Sequence, residues 1–264
     1  MQTLLEGSAL NNRNFMDYAL FSKPLCDLPS QPLLINTINQ YSFCMAHNDS
    51  QFKKSLLESD VLLPDGIAVV IATRFLTGQK IQKIAGADIH QHMLEELNAK
   101  GGSCFYLGSA DETLRKIKER VAREYPNVRV GSYSPPYKAQ FSEGDNQKML
   151  DAVNNFAPQV LFVGMTAPKQ EKWVSQHKSS LNSEVICTIG AVFDFYAGTI
   201  QRPSKIWVDM GLEWFVRLVK EPKRMWRRYV YYGPVFLYHI MKHKMRYHPA
   251  QPKSEYNLHE EMVV

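Results

Sequence analysis

The chain has 264 residues, 45% hydrophobic and 22% charged, a balance that excludes a disordered polyelectrolyte and fits a globular protein with a sizeable core. It holds no run of about 18 apolar residues and no basic segment leading into an apolar one, so neither a membrane-spanning helix nor a secretory signal is expected. The net charge of +5 is uneven: nine Lys/Arg against Glu221 alone between Trp214 and His248 put that stretch at +8 and the remainder at −3.

Residues 1–30 carry no convincing pattern and are expected to form a loosely ordered arm. Residues 33–36 (LLIN) read as a short buried strand entering a polar turn, Thr37 to Gln40. A helical pattern covers roughly Asn48 to Glu58, and residues 60–63 give a second strand that stops at Pro64-Asp65-Gly66. Ile67 to Leu76 resumes with helical spacing, and Asp88 is placed to N-cap a helix running to Ala99.

From Ser103 the alternation is regular. Strands are expected at 103–108, 128–133, 159–164 and 184–190, with helices at Asp111–Tyr125, Asn146–Phe156 and from Pro168 to about His177. Continuous apolar strands separated by helices indicate an α/β fold, a Rossmann-like mostly parallel sheet with helices on both faces. The tail from Gly211 to His248 reads as a basic, amphipathic helical appendage, with Pro222 breaking or re-aiming its helix, and 249–264 as a frayed end.

In an open parallel sheet, ligands bind beyond the carboxyl ends of the strands. The polar residues there are Thr37 and Asn39, Asp65, the Thr166–Glu171 segment and Asp194, and all four groups can meet in one crevice. Asp65, between a stiff Pro64 and a permissive Gly66, suits a general base; the alternative is an N-cap for the helix that follows. Thr37 and Asn39 suit sugar contacts or local capping. Pro168-Lys169-Gln170-Glu171 suits an anionic or polyhydroxylated ligand at a helix N-terminus, or ordinary helix-start composition. Asp194 suits a ribose or base contact, or a turn cap.

The four cysteines are widely spaced and the eight histidines form no ligand set, so free thiols in a reducing compartment and no metal site are expected. There is no GxG, no GxxxxGK[ST] and no DxD. The missing glycine fingerprint argues against a dehydrogenase. A nucleotide-sugar enzyme without DxD needs other cations for its leaving diphosphate, and Arg217, Arg224, Arg227 and Arg228 are at hand. The aromatic stretch 229–241 with basic flanks reads as a segment lying in a membrane interface, or else as a helix pair packed on the core.

LPDGIAVV (63–70), AGAD (85–88), FVGMTAPKQE (162–171), FDFYAGTIQRP (193–203) and GLEWFVRLVKEP (211–222) together resemble the WecG/TagA/CpsF glycosyltransferases, glycosyltransferase family 26, over roughly Leu33 to Arg228. The resemblance implies an inverting transferase without a cofactor or required metal. It would move sugar from a UDP-sugar donor to a polyprenyl-diphosphate-linked saccharide in cell-surface polysaccharide synthesis, peripherally on the cytoplasmic face of the membrane. It implies Asp65 as catalytic base, Thr37, Asn39, Gln170 and Asp194 as pocket residues, and Arg217, Arg224 and Arg227 as diphosphate contacts. Lys83 stands where the family usually has arginine, which keeps the charge but loses the bidentate fork. Gly164-Met165-Thr166-Ala167 is bulkier than the family's usual glycine-rich stretch. No nucleic acid is expected as partner; homo-oligomerisation is left open. The rival reading is a non-enzymatic α/β protein binding nucleic acid or another polyanion through its basic tail, with salt-sensitive affinity.

Overall fold

A computed structural model describes residues 12–29, 32–200, 206–207, 210 and 212–246. Its centre is a six-stranded, all-parallel sheet in the order β4-β3-β8-β7-β5-β6. The strands are β3 (Leu33–Ile38), β4 (Val61–Pro64), β5 (Ser103–Gly108), β6 (Arg129–Tyr133), β7 (Val160–Gly164) and β8 (Val185–Thr188). Every residue of β4, β5, β7 and β8 is buried, as expected of a sheet covered on both faces.

The two-residue period sorts the core. Cys104 and Tyr106 of β5, Phe162 of β7 and Cys187 of β8 point to one face, against α4 (Gly86–Lys100), α5 (Asp111–Glu124) and α8 (Val192–Tyr196). Phe105, Leu107, Leu161, Val163 and Ile186 point to the other, against α6 (Glu143–Phe156) and α7 (Lys169–His177).

Beyond β3 and β4 lies a third apolar cluster that local pattern did not announce. It joins α1 (Gln40–Asn48), α2 (Ser50–Leu57) and α3 (Ile67–Thr77) to the N-terminal hairpin and the C-terminal helix. The hairpin, β1 (Asn12–Phe15) and β2 (Tyr18–Phe21), corrects the loose-arm expectation for this part of the chain. Phe15, Tyr18, Leu20 and Phe21 are all buried, and their partners are distant in sequence: Phe15 meets Phe43 edge-on at 5.5 Å and stacks on Phe236 at 6.2 Å. The expectations for residues 1–11 and 249–264 fall outside the described residues.

Three smaller corrections concern element ends. β3 extends through Thr37 and Ile38, because these pair with Leu63 and Pro64 of β4. α1 begins in the expected turn, where Asn39 caps it by accepting the Tyr41 and Ser42 amides at 3.0 Å each while the Ser42 hydroxyl accepts the Asn39 amide. Asp88 lies inside the first turn of α4 rather than before it, and its carboxylate accepts the amide of Ala85, the true N-cap, at 2.8 Å.

The C-terminal segment forms α9 (Glu213–Lys220), α10 (Pro222–Trp226), a π-type turn (Arg227–Tyr231) and α11 (Tyr232–Arg246). Pro222 does break the helix, at the first position of α10, where its missing donor costs nothing. α11 returns onto α1 and buries Phe236 and Ile240. Among the described residues, no helix is long and apolar enough to cross a membrane.

Candidate active site

The carboxyl ends of β3 and β4 open into a cleft of about 300 Å³ whose far wall is the C-terminal segment. Asp65 occupies its floor. The Asp65 amide donates to the Ile38 carbonyl at 2.9 Å, and the Pro64 carbonyl accepts the Ile84 amide at 3.1 Å, so the turn is held from both sides. Gly66 then takes φ +136°, a conformation that side chains resist, and a Cβ there would lie 3.4 Å from that of Asn39. Gly66, not Asp65, is the N-cap residue of α3. Asp65 thus precedes the cap position, and its half-buried side chain lines the cleft.

Three cations share that lining: Lys83 from the segment joining α3 to α4, Arg217 from α9, and Arg228 from the π-type turn. The Arg228 guanidinium lies 4.8 Å over the Tyr41 ring, and that of Arg217 lies 5.2 Å from the Phe195 ring. Aromatic faces of this kind orient a guanidinium. Asp65 is the sole carboxylate among the described lining residues. A cleft with three cations and one carboxylate attracts a polyanionic ligand and still offers a proton acceptor. Trp214, Tyr229, Gly233 and Phe236 add an apolar rim.

Arg217 also borders a second cavity, about 360 Å³, with Phe195, Thr199, Ile200, Lys220 and Glu221. The two spaces share this arginine as a common wall.

The remaining sequence-derived residues lie elsewhere or act differently. Asn39 lines the cleft, yet its side-chain oxygen is the cap of α1. Thr37 is half-buried within β3 and is not a lining residue. Gln170 is buried, with its carbonyl accepting the Met165 amide at 3.0 Å and its amide donating to Glu171 at 2.9 Å, so it ties down the loop after β7. Burial pushes the Glu171 carboxyl up to about 7. Asp194 sits in the first turn of α8, where its backbone carbonyl accepts the Thr199 and Ile200 amides. Arg227 is exposed and lies 5.9 Å from the Tyr232 ring. The Arg224 side chain falls outside what the structure describes. Among the described residues, no three His, Cys, Asp or Glu come together as a metal set.

Sequence reasoning counted Arg228 among the tail cations without assigning it to the site, and it missed Tyr41, Trp214, Tyr229 and Phe236. The interleaving of aromatics with arginines in 211–228 was the available signal for Trp214. Tyr41 carried none, since it reaches the cleft only because Asn39 starts a helix there.

A family model described as "Glycosyl transferase WecG/TagA/CpsF family" matches residues 18–250. An N-acetylglucosaminyldiphosphoundecaprenol N-acetyl-beta-D-mannosaminyltransferase of Bacillus subtilis (strain 168) is 27% identical over 222 residues, 84% of each chain. Proteins of the same name from Bacillus spizizenii and Staphylococcus aureus (strain MW2) are 28% and 24% identical, over 75% and 83% of this chain and 75% and 84% of their own lengths.

Proposed function

Because the chain belongs to the WecG/TagA/CpsF family and is thus a glycosyltransferase, we propose that it moves a sugar from a UDP-sugar to a saccharide carried on a polyprenyl diphosphate, with inversion. The observation that carries this reading is the meeting of Asp65 with Lys83, Arg217 and Arg228 in one cleft. The relatives' names specify a diphosphoundecaprenol-linked acceptor and a β-linked product. A single displacement on an α-linked nucleotide sugar gives such a linkage. Family membership sets aside the non-enzymatic polyanion binder.

In this mechanism the acceptor hydroxyl attacks the anomeric carbon as its proton passes to the Asp65 carboxylate. The bond from that carbon to the phosphate oxygen breaks, and UDP departs with the electron pair. Lys83, Arg217 and Arg228 would meet the charge that develops on the leaving diphosphate, the kind of preorganised stabilisation that weighs most where water is excluded. Arg224 and Arg227 remain candidates for further diphosphate contacts, and Thr37, Gln170 and Asp194 for shaping the donor pocket from behind the lining.

The acceptor's lipid anchor calls for a protein working at the cytoplasmic membrane face. The half of α9 and α10 that faces solvent suits this: Phe215, Val219 and Trp226 are exposed among basic residues. The decisive test is a panel of UDP-sugars with a short-chain lipid-diphosphate N-acetylglucosamine acceptor, in excess chelator, with product configuration read by NMR. One UDP-sugar is expected to give a β-linked product at the chelator-free rate. Retention of configuration would remove the single displacement, and no transfer from any UDP-sugar would remove the donor class.

A further inference from the structure

The rim of the cleft runs into a surface that no step of transfer uses. α3 exposes Ile67, Ile71 and Phe75 (36%, 60% and 47%), one above another at i, i+4 and i+8. α11 does the same with Leu237, Met241 and Met245 (59%, 43% and 72%). The two helices run side by side in the same direction. At one end Ile67 and Ala68 of α3 line the same cleft as Gly233 and Phe236 of α11. At the other, the Lys244 ammonium donates to the Leu76 carbonyl at 3.4 Å and lies 5.5 Å from the Phe75 ring. With about 100° of turn per residue, Leu237 and Met241 fall on the flank of α11 that carries Lys244, the flank meeting α3. The two apolar stripes therefore border one seam, a concentration of exposed apolar surface that marks an interaction site.

Charge identifies the occupant. The segments 67–83 and 222–246 contain no Asp or Glu, yet together hold ten Lys/Arg, among them Arg74, Lys80, Lys242, Lys244 and Arg246. A second copy docked on this seam would bring these cations against their own kind, which repulsion opposes. An anionic bilayer complements both features: apolar side chains enter the interface while lysines and arginines meet the headgroups.

We propose that α3, an element of the catalytic core, is half of a lipid-docking face shared with α11, and that Ile71 and Phe75 enter the interface of an anionic membrane. This rests on the membrane-surface reading above and adds to it an element outside the C-terminal appendage. It also orients the enzyme. With Ile67 at both the cleft and the stripe, the cleft mouth opens at the bilayer, and a lipid-anchored diphosphate reaches Asp65 without leaving the membrane.

The test uses the full chain and its Ile71→Ser/Phe75→Ser variant, co-sedimented with vesicles of phosphatidylcholine alone or mixed with phosphatidylglycerol. Wild type is expected to partition onto the mixed vesicles reversibly with salt, and the variant roughly tenfold or more weakly, as loss of two inserting side chains requires. Both should turn over a water-soluble short-chain acceptor equally, which also reports that the variant is folded. Ile71→Leu/Phe75→Leu should retain wild-type partition, and should that variant bind as weakly as the serine variant, apolar insertion is excluded. Wild-type partition in the serine variant would overturn the role of α3 and leave the membrane reading standing. Failure of wild type itself to bind mixed vesicles would remove both. A wild-type dimer that the serine pair turns into a monomer, with partition unchanged, would reassign the stripe to self-association.

Discussion

α3 and α5 each bury one apolar face, α3 against the N-terminal hairpin and α5 against β6 and α8, yet their outer faces differ completely. α5 buries Leu114, Ile117 and Val121 and gives water a lattice of ion pairs, Arg115 with Glu112 and Glu119, Arg120 with Glu124. α3 buries Val69 and Ala72 and turns Ile71 and Phe75 outward without a single acid. An exposed face that only needs solvation is served by charges of both signs spaced three and four apart. A face with apolar residues in the same positions answers to something other than water. The contrast divides the molecule into a solvated end at β5 and β6 and a working end at β3 and β4, where the cleft lies.

The division can be broken by substitutions at each end. The largest effect is expected at Asp65: Asp65→Asn should lower turnover by roughly two to four orders of magnitude, as loss of a general base does, with thermal stability unchanged. Turnover near wild type would move the proton acceptor elsewhere and leave the working end without its chemistry. Next come the cleft cations. Arg217→Ala and Arg228→Ala should each lower kcat/KM for the donor about 10–100-fold, the range of a lost charged hydrogen bond. A loss confined to acceptor kinetics would assign that arginine to the acceptor's diphosphate instead.

Glu171, between the two ends, tests the sign of a buried carboxyl. Its folded value of about 7 stands above the ordinary 4.5, so the folded chain holds this proton where the unfolded chain has released it. The associated stability is complete below about pH 4.5 and is lost as pH rises towards and through 7. Wild type should therefore lose more melting temperature between pH 5 and pH 8 than Glu171→Gln, and equal losses would show that this carboxyl is ionised throughout. The smallest effect belongs to the solvated end. Arg115→Ala on α5 should shift neither melting temperature nor turnover measurably, since fully exposed pairs contribute little, and a clear loss of activity there would blur the division.

How legible each end was follows from where its partners lie. The strands at 103–108, 159–164 and 184–190 could be read because a buried parallel strand is apolar at every position and needs no distant context. The hairpin 12–21 and α1 could not. Phe15, Phe43 and Phe236 are core residues only in each other's company, and no local period joins them. The place of Asp65 at the cleft could be read because a strand end, a proline and a glycine bracket it. Gln170 was placed by motif as a pocket residue, and its partner, the backbone amide of Met165, is visible only after the loop folds. In the tail the core-packing alternative holds for part of the segment, and the interface reading is a proposal for the rest. Phe236 and Ile240 pack on the core, while Leu237 and Met241, their immediate neighbours, stay outside.

The stacking of Phe15 on Phe236 also bears on how the molecule is made. Residue 236 leaves the ribosome roughly tens of seconds after residue 15 at ordinary elongation rates. During that interval the hairpin has β4 and the helices α1 to α3 to shelter it, and the groove awaiting α11 stays open. The β5–β8 half of the sheet can pair as it emerges, whereas the end bearing Asp65 is sealed only once α11 has followed. A nascent chain halted before α11 would thus hold a nearly complete sheet beside an uncovered aromatic groove, the kind of surface that holdase chaperones bind.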